Sequence, residues 1–164
     1  MGLRLGEVMI AQGLLTEHQV QQVLHHQKHA HRPFGVLAED LFGISEDEVE
    51  RAWVAQYATL TRQVVPADEK IDPEALRLID RRQAWQFRVL PIRFDGDELM
   101  IATTPDHLVR ALRFASRCIP KPCYFVLTEA RALGDALVRY FPMAGMTSES
   151  VEKPFRIAPV AGKH

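Results

Sequence analysis

"RLGEVMIAQGLLTEHQVQQVLHHQ" (residues 4–27) and "PFGVLAEDLFGISEDEVERAWVAQ" (residues 33–56) read as one helical phrase written twice. An offset of 29 residues, Arg4 onto Pro33, lays Gly6 on Gly35, Leu15 on Ile44 and Thr16 on Ser45. It also lays Glu17 on Glu46, Leu24 on Trp53 and Gln27 on Gln56. Each copy predicts a short helix, a turn and a longer helix. In the first, Leu5, Val8, Met9 and Gln12 follow helical spacing, and Gly13 stands where a left-handed C-terminal cap is wanted. Thr16 with Gln19 then forms a capping-box pattern, and Val20, Val23 and Leu24 make the apolar stripe of the next helix. The second copy repeats the device with Gly43 as stop, Ser45 with Glu48 as cap, and Val49, Ala52 and Trp53 as stripe. One such pair cannot bury its own apolar face. Two stacked pairs can, which predicts an N-terminal helical bundle of two tandem helix-turn-helix repeats over residues 1–60.

Outward from the repeat the chain changes character. "IDPEALRLI" is a helix with Asp72 as cap and Pro73 in its first turn. "FRVLPIRF" and "ELMIATT" are β-rich runs joined at Asp95-Gly96, a hairpin signal. "PDHLVRALRFASRC" is an amphipathic helix, "CYFVLT" a strand and "EARALGDALVRYF" a closing helix. Residues 61–141 therefore predict a small α/β subdomain with a mostly antiparallel three-stranded sheet, and the whole chain is α+β. Residues 142–164, rich in Pro, Gly and Ser, are expected to form a flexible tail.

Composition narrows the function classes. At 164 residues with 47% hydrophobic and 25% charged, the chain can bury a core and is not a disordered segment. Net charge is −1, so no global field draws nucleic acid, and an anionic ligand must be held by local placement. Arg81, Arg82 and Arg88 lie beside aromatics, but without a recognisable motif they do not make an RNA site. Two cysteines, Cys118 and Cys123, cannot build a disulfide framework or a four-cysteine zinc site. The amphipathic N-terminus is neither signal peptide nor membrane span, and a cytoplasmic location without membrane insertion is expected. His25 and His29 have zinc-ligand spacing, yet no carboxylate or cysteine in the same stretch completes the set; a solvated helix end is the plainer reading. No catalytic constellation is assembled anywhere, so no enzyme and no required cofactor is expected.

The residues outside the apolar stripes carry the chemistry. Arg4, Leu5 and Gly6 open a helix, where unpaired N–H groups favour an anion and glycine permits close approach. The Arg4 guanidinium can pair with phosphate or lie over a base. Gln27, one helix later, offers an amide that donates and accepts.

This pattern, R-L-G, apolar residues, Gly13, Leu24 and Gln27, followed by the spacer "KHAHR" and a second copy, resembles the tandem motif of the MshEN domain. That is the N-terminal domain of type II secretion and type IV pilus assembly ATPases of the GspE/PilB kind. The likeness continues through "IDPEALRLIDRRQAWQFRVLPIRFDGDELMIATTPDHLVRALRF" and covers residues 3–141. In several members the tandem motif binds cyclic di-GMP. The resemblance thus implies that nucleotide as ligand, with Arg4, Leu5, Gly6, Gly13, Leu24, Gln27, Gly35 and Gln56 at its site. It also implies a protein partner, a component of the secretion or pilus platform or its ATPase. The second copy departs from the motif: Pro33 and Phe34 replace Arg and Leu, and Arg32 is the nearest substitute cation. Two readings stand: a regulatory domain holding cyclic di-GMP, and a protein-interaction adaptor with no nucleotide. No phosphate-binding G-x-x-x-x-G-K-[ST] loop occurs, so the motor is absent. A free-standing protein and a piece of a longer ATPase both fit, the former mildly favoured.

Overall fold

In a computed structural model, residues 3–48 and 63–152 are described. Three helices make up the described part of the first half: α1 (Leu5–Ala11), α2 (Glu17–Ala30) and α3 (Phe34–Phe42). Their ends are set by the devices read from the repeat. Gly13 and Gly43 take left-handed φ of 70° and 69° after α1 and α3, where a side chain would be strained. Thr16 caps α2 through a reciprocal bond with Gln19, and Ser45 and Glu48 repeat that box at residues 46–48, which are helical. Val20, Val23 and Gln27 form the buried stripe of α2. Trp53 and Gln56 of the second copy lie outside the described residues.

The second half contains α4 (Pro73–Leu76), α5 (Arg81–Phe87), β2 (Leu90–Asp95), β3 (Glu98–Thr103), α6 (Leu108–Cys118), β4 (Cys123–Leu127) and α7 (Ala130–Tyr140). A strand of two residues at the N-terminus, β1 (Leu3–Arg4), joins them in a sheet ordered β1-β4-β3-β2. The α+β class is as expected, with the sheet gaining that short fourth strand. Two pairings are antiparallel and the central one, β3 with β4, is parallel. A parallel pair needs a crossover, which α6 supplies between its strands. Every residue of β4 is buried, as expected for the strand that the crossover element helps to cover. Pro91 sits on the edge strand β2, where a missing N–H is tolerated, and the Asp72 N–H covers that edge at the Ile92 carbonyl (2.8 Å).

The core runs through both halves. Val8, Met9, Val23 and Leu37 join Leu90, Ile92, Leu99, Ile101, Leu112, Phe125 and Leu137 in one apolar cluster. Trp85 is buried and donates its indole N–H to the Phe141 carbonyl at 2.7 Å.

Residues 142–152 differ from the expected flexible tail. Ser148–Val151 form a 3-10 turn, and Val151 is fully buried. The turn lies so close to α7 that a Cβ on Gly134 would come within 2.2 Å of the Ser148 carbonyl oxygen. Buried Arg88 donates to the Ser150 carbonyl (3.0 Å) and to the Trp85 carbonyl, tying the segment to the end of α5. Polar composition suggested solvation there; one valine and one arginine with carbonyl partners hold it down.

Candidate functional site

Arg4 is placed by β1. Its backbone pairs with Tyr124 of β4, and β4 in turn pairs with β3. The side chain therefore crosses the end of the sheet, with its guanidinium 5.2 Å from the Tyr124 ring centre. It donates from Nε to Glu98 Oε2 at 2.7 Å and from Nη1 to Glu7 Oε1 at 3.2 Å. The bond to Glu98 raises the Arg4 pKa further above its ordinary value, so the guanidinium is a permanent cation.

A cleft opens beside this arginine, between α2 and the β2–β3 hairpin. Its main cavity, about 520 Å³, is lined by Arg4, Gln21, Leu24, His25, Lys28 and Pro122, with Asp95, Asp97 and Glu98 from the hairpin. A smaller apolar recess continues past Gly6, Ile10, Val20 and Phe34. On the other side, a third cavity is lined by Gln27, Lys28, Phe94, Gly96, Asp97, Lys121 and Pro122. Lys28, Asp97 and Pro122 border both the main cavity and this third one, so the three form one groove.

Gln27 has no signature of an ordinary surface amide. It is 1% exposed, and neither its Nε2 nor its Oε1 has a hydrogen-bond partner among the described residues. A buried amide left unsatisfied costs about 1–3 kcal/mol. Sited at a cavity wall, it is a donor and an acceptor awaiting a polar group.

The hairpin gives the groove its charge. Lys28 Nζ lies 3.0 Å from Asp97 Oδ2, and Arg4 is held by Glu98. Around the main cavity two cations face three carboxylates. The groove thus combines paired cations, an orphaned amide and an apolar recess, which together suit an anionic ligand with an apolar face. Acidic hairpin residues were not among those singled out in the sequence; only the β1–β4 and β3–β4 registers bring them to Arg4.

The other sequence-derived residues divide. Gly6 and Leu24 line the groove. Gly6 also serves packing, since a Cβ there would stand 2.5 Å from Val20 Cγ1. Leu5 opens α1. Gly13 is a helix stop exposed to solvent; a Cβ there would meet nothing within 4 Å, and the residue lines none of these cavities. Gly35 faces α6 instead of the groove: a Cβ there would meet Ser116 Cβ at 2.9 Å. Arg32, expected to replace the missing arginine of the second copy, pairs with Asp40 at 2.7 Å and does not line the groove. Gln56 lies outside the described residues. His25 and His29 stack edge-on with centres 4.8 Å apart, and no group of three metal-ligating side chains forms among the described residues. No helix among the described residues is long and apolar enough to cross a membrane.

The MshEN domain model matches residues 57–147, a span that starts after the repeat. A solved structure of MshE with cdg is 27% identical, with a TM-score of 0.45, covering 85% of this chain and 99% of that one. The solved N-terminal domain of XpsE is 17% identical, with a TM-score of 0.38, covering 82% of this chain and 92% of that one. No curated protein matches the chain.

Proposed function

We propose, for a chain that belongs to the MshEN domain family, a non-catalytic regulatory and interaction role in a secretion or pilus system, with cyclic di-GMP held in the groove between α2 and the β2–β3 hairpin. The observation that carries this reading is Gln27, a buried amide whose two polar atoms have no partner among the described residues, at the wall of a cavity flanked by lysines. Such an atom pair is retained against its cost where a ligand satisfies it. Arg4 supplies a cation at one end of the groove and Lys28 a second; together they suit the two phosphates of the ligand. Leu24 and the recess past Gly6 offer apolar surface for a guanine face. The first repeat and Lys28 of the spacer thus carry the ligand, while Arg32 of the spacer and Gly35 of the second repeat serve structure. The location we propose is cytoplasmic, with the partner a component of the secretion or pilus platform or its ATPase.

A second reading, a protein-interaction adaptor without nucleotide, is favoured by one observation: two of the groove's cations, Arg4 and Lys28, already have carboxylate partners. Isothermal titration of cyclic di-GMP into the purified chain separates the two. Saturable binding at micromolar or tighter, weakened about tenfold but still measurable in Arg4→Ala, supports the receptor. Binding unchanged in that variant would move the ligand away from the groove. Absence of heat at high ligand concentration, with the chain shown to be folded by circular dichroism, would leave the adaptor.

A further inference from the structure

We propose that the β2–β3 hairpin is a built-in competitor for the groove's cations, Glu98 masking Arg4 and Asp97 masking Lys28 until an anionic ligand displaces them. The inference rests on the cyclic di-GMP reading and adds the regulation of that site.

Three observations carry it. Both carboxylates come from one four-residue turn, Asp95–Glu98, and each makes an ion pair with a cation of the helical half, at 2.7 Å and 3.0 Å. The pairs span the groove, joining β1 and α2 on one side to the hairpin on the other, so the ligand's own contacts and the masking contacts use the same donors. The charge balance around the main cavity, two cations against three carboxylates, opposes entry of a dianion as long as the hairpin stays in place. A ligand phosphate must therefore exchange for Glu98 on Arg4, and the energy of the broken pair is subtracted from the affinity.

The two pairs are not equal. Arg4 and Glu98 are 29% and 31% exposed, so water screens them less than Lys28 and Asp97, at 56% and 70%. Glu98 is the main mask and Asp97 a lesser one. Glu7, which also holds Arg4, is 58% exposed, so that pair is screened more strongly than the pair with Glu98.

Titration of cyclic di-GMP into the wild-type chain, Glu98→Gln and Asp97→Asn tests this. Glutamine keeps the shape and removes the charge. The expected result is binding about tenfold tighter in Glu98→Gln, a change of roughly 1.4 kcal/mol, and a smaller gain in Asp97→Asn. The gain from Glu98→Gln should vanish when Arg4→Ala is already present, because the mask acts through Arg4; a general effect of removing one negative charge would persist there. Equal or weaker binding in Glu98→Gln, or a gain that survives in the Arg4→Ala background, overturns the proposal while leaving the receptor reading intact. If none of the folded proteins binds, the receptor reading fails and this inference falls with it.

Discussion

Replacing Gln27 by methionine should make the chain more stable and a poorer receptor. Gln27 is 1% exposed, and its amide oxygen and nitrogen have no partner among the described residues. Folding therefore strips the amide of water and returns no hydrogen bond, a cost of about 1–3 kcal/mol. Methionine has a similar length and an unbranched chain, so it fills the same space with no polar atom to desolvate. Part of the gain is lost to imperfect packing, leaving an expected stabilisation of about 1–2 kcal/mol. At roughly 2–4 °C per kcal/mol for a chain of this size, the melting temperature should rise by about 2–8 °C. Urea denaturation followed by circular dichroism, with calorimetry alongside, would measure both quantities in the absence of ligand. The same variant should bind cyclic di-GMP at least tenfold more weakly, since the ligand loses the amide it would satisfy. Gain in stability with loss of affinity is the signature of a polar group kept for a ligand. A Gln27→Met protein destabilised by about 1 kcal/mol or more would refute the reasoning, because it would show that the amide is bonded in the free protein.

Three further outcomes follow from the geometry. Burial, and after it the Arg88 guanidinium, hold the His107 pKa below the ordinary value of 6.5, so the folded chain binds that proton less readily than the unfolded chain. Stability should be complete above pH 6.5 and fall as the pH drops towards the folded-state pKa, and His107→Gln should flatten that part of a pH series of urea midpoints. Gly134→Ala would force a Cβ against the Ser148 carbonyl, so we expect a loss of about 1–3 kcal/mol and faster amide exchange at residues 148–151, read by mass spectrometry. Cys118 is exposed and Cys123 buried with its thiol pKa pushed up by burial, so a disulfide reagent should modify the first quickly and the second only at the rate of unfolding.

Local chemistry made much of this protein legible from sequence. Helix ends were fixed by residues adjacent in the chain: Gly13 and Gly43 as left-handed stops, Thr16–Gln19, Ser45–Glu48 and Asp72–Pro73 as starts. Caps and turns depend on bonds spanning three or four residues, and a sequence displays those directly. The Asp95-Gly96 hairpin and the amphipathic helices were readable for the same reason. Tertiary structure alone decided which of these meet. A strand of two residues, too short for any periodicity, carries Arg4 across to Tyr124 and so to Glu98, 94 positions away in the chain. Tertiary packing likewise makes Gly35 a contact with Ser116 and folds Val151 into the core, while Arg32 is held by Asp40 of the next helix. Such contacts are chosen by which apolar faces fit together over the whole chain, and no short window of sequence contains that information.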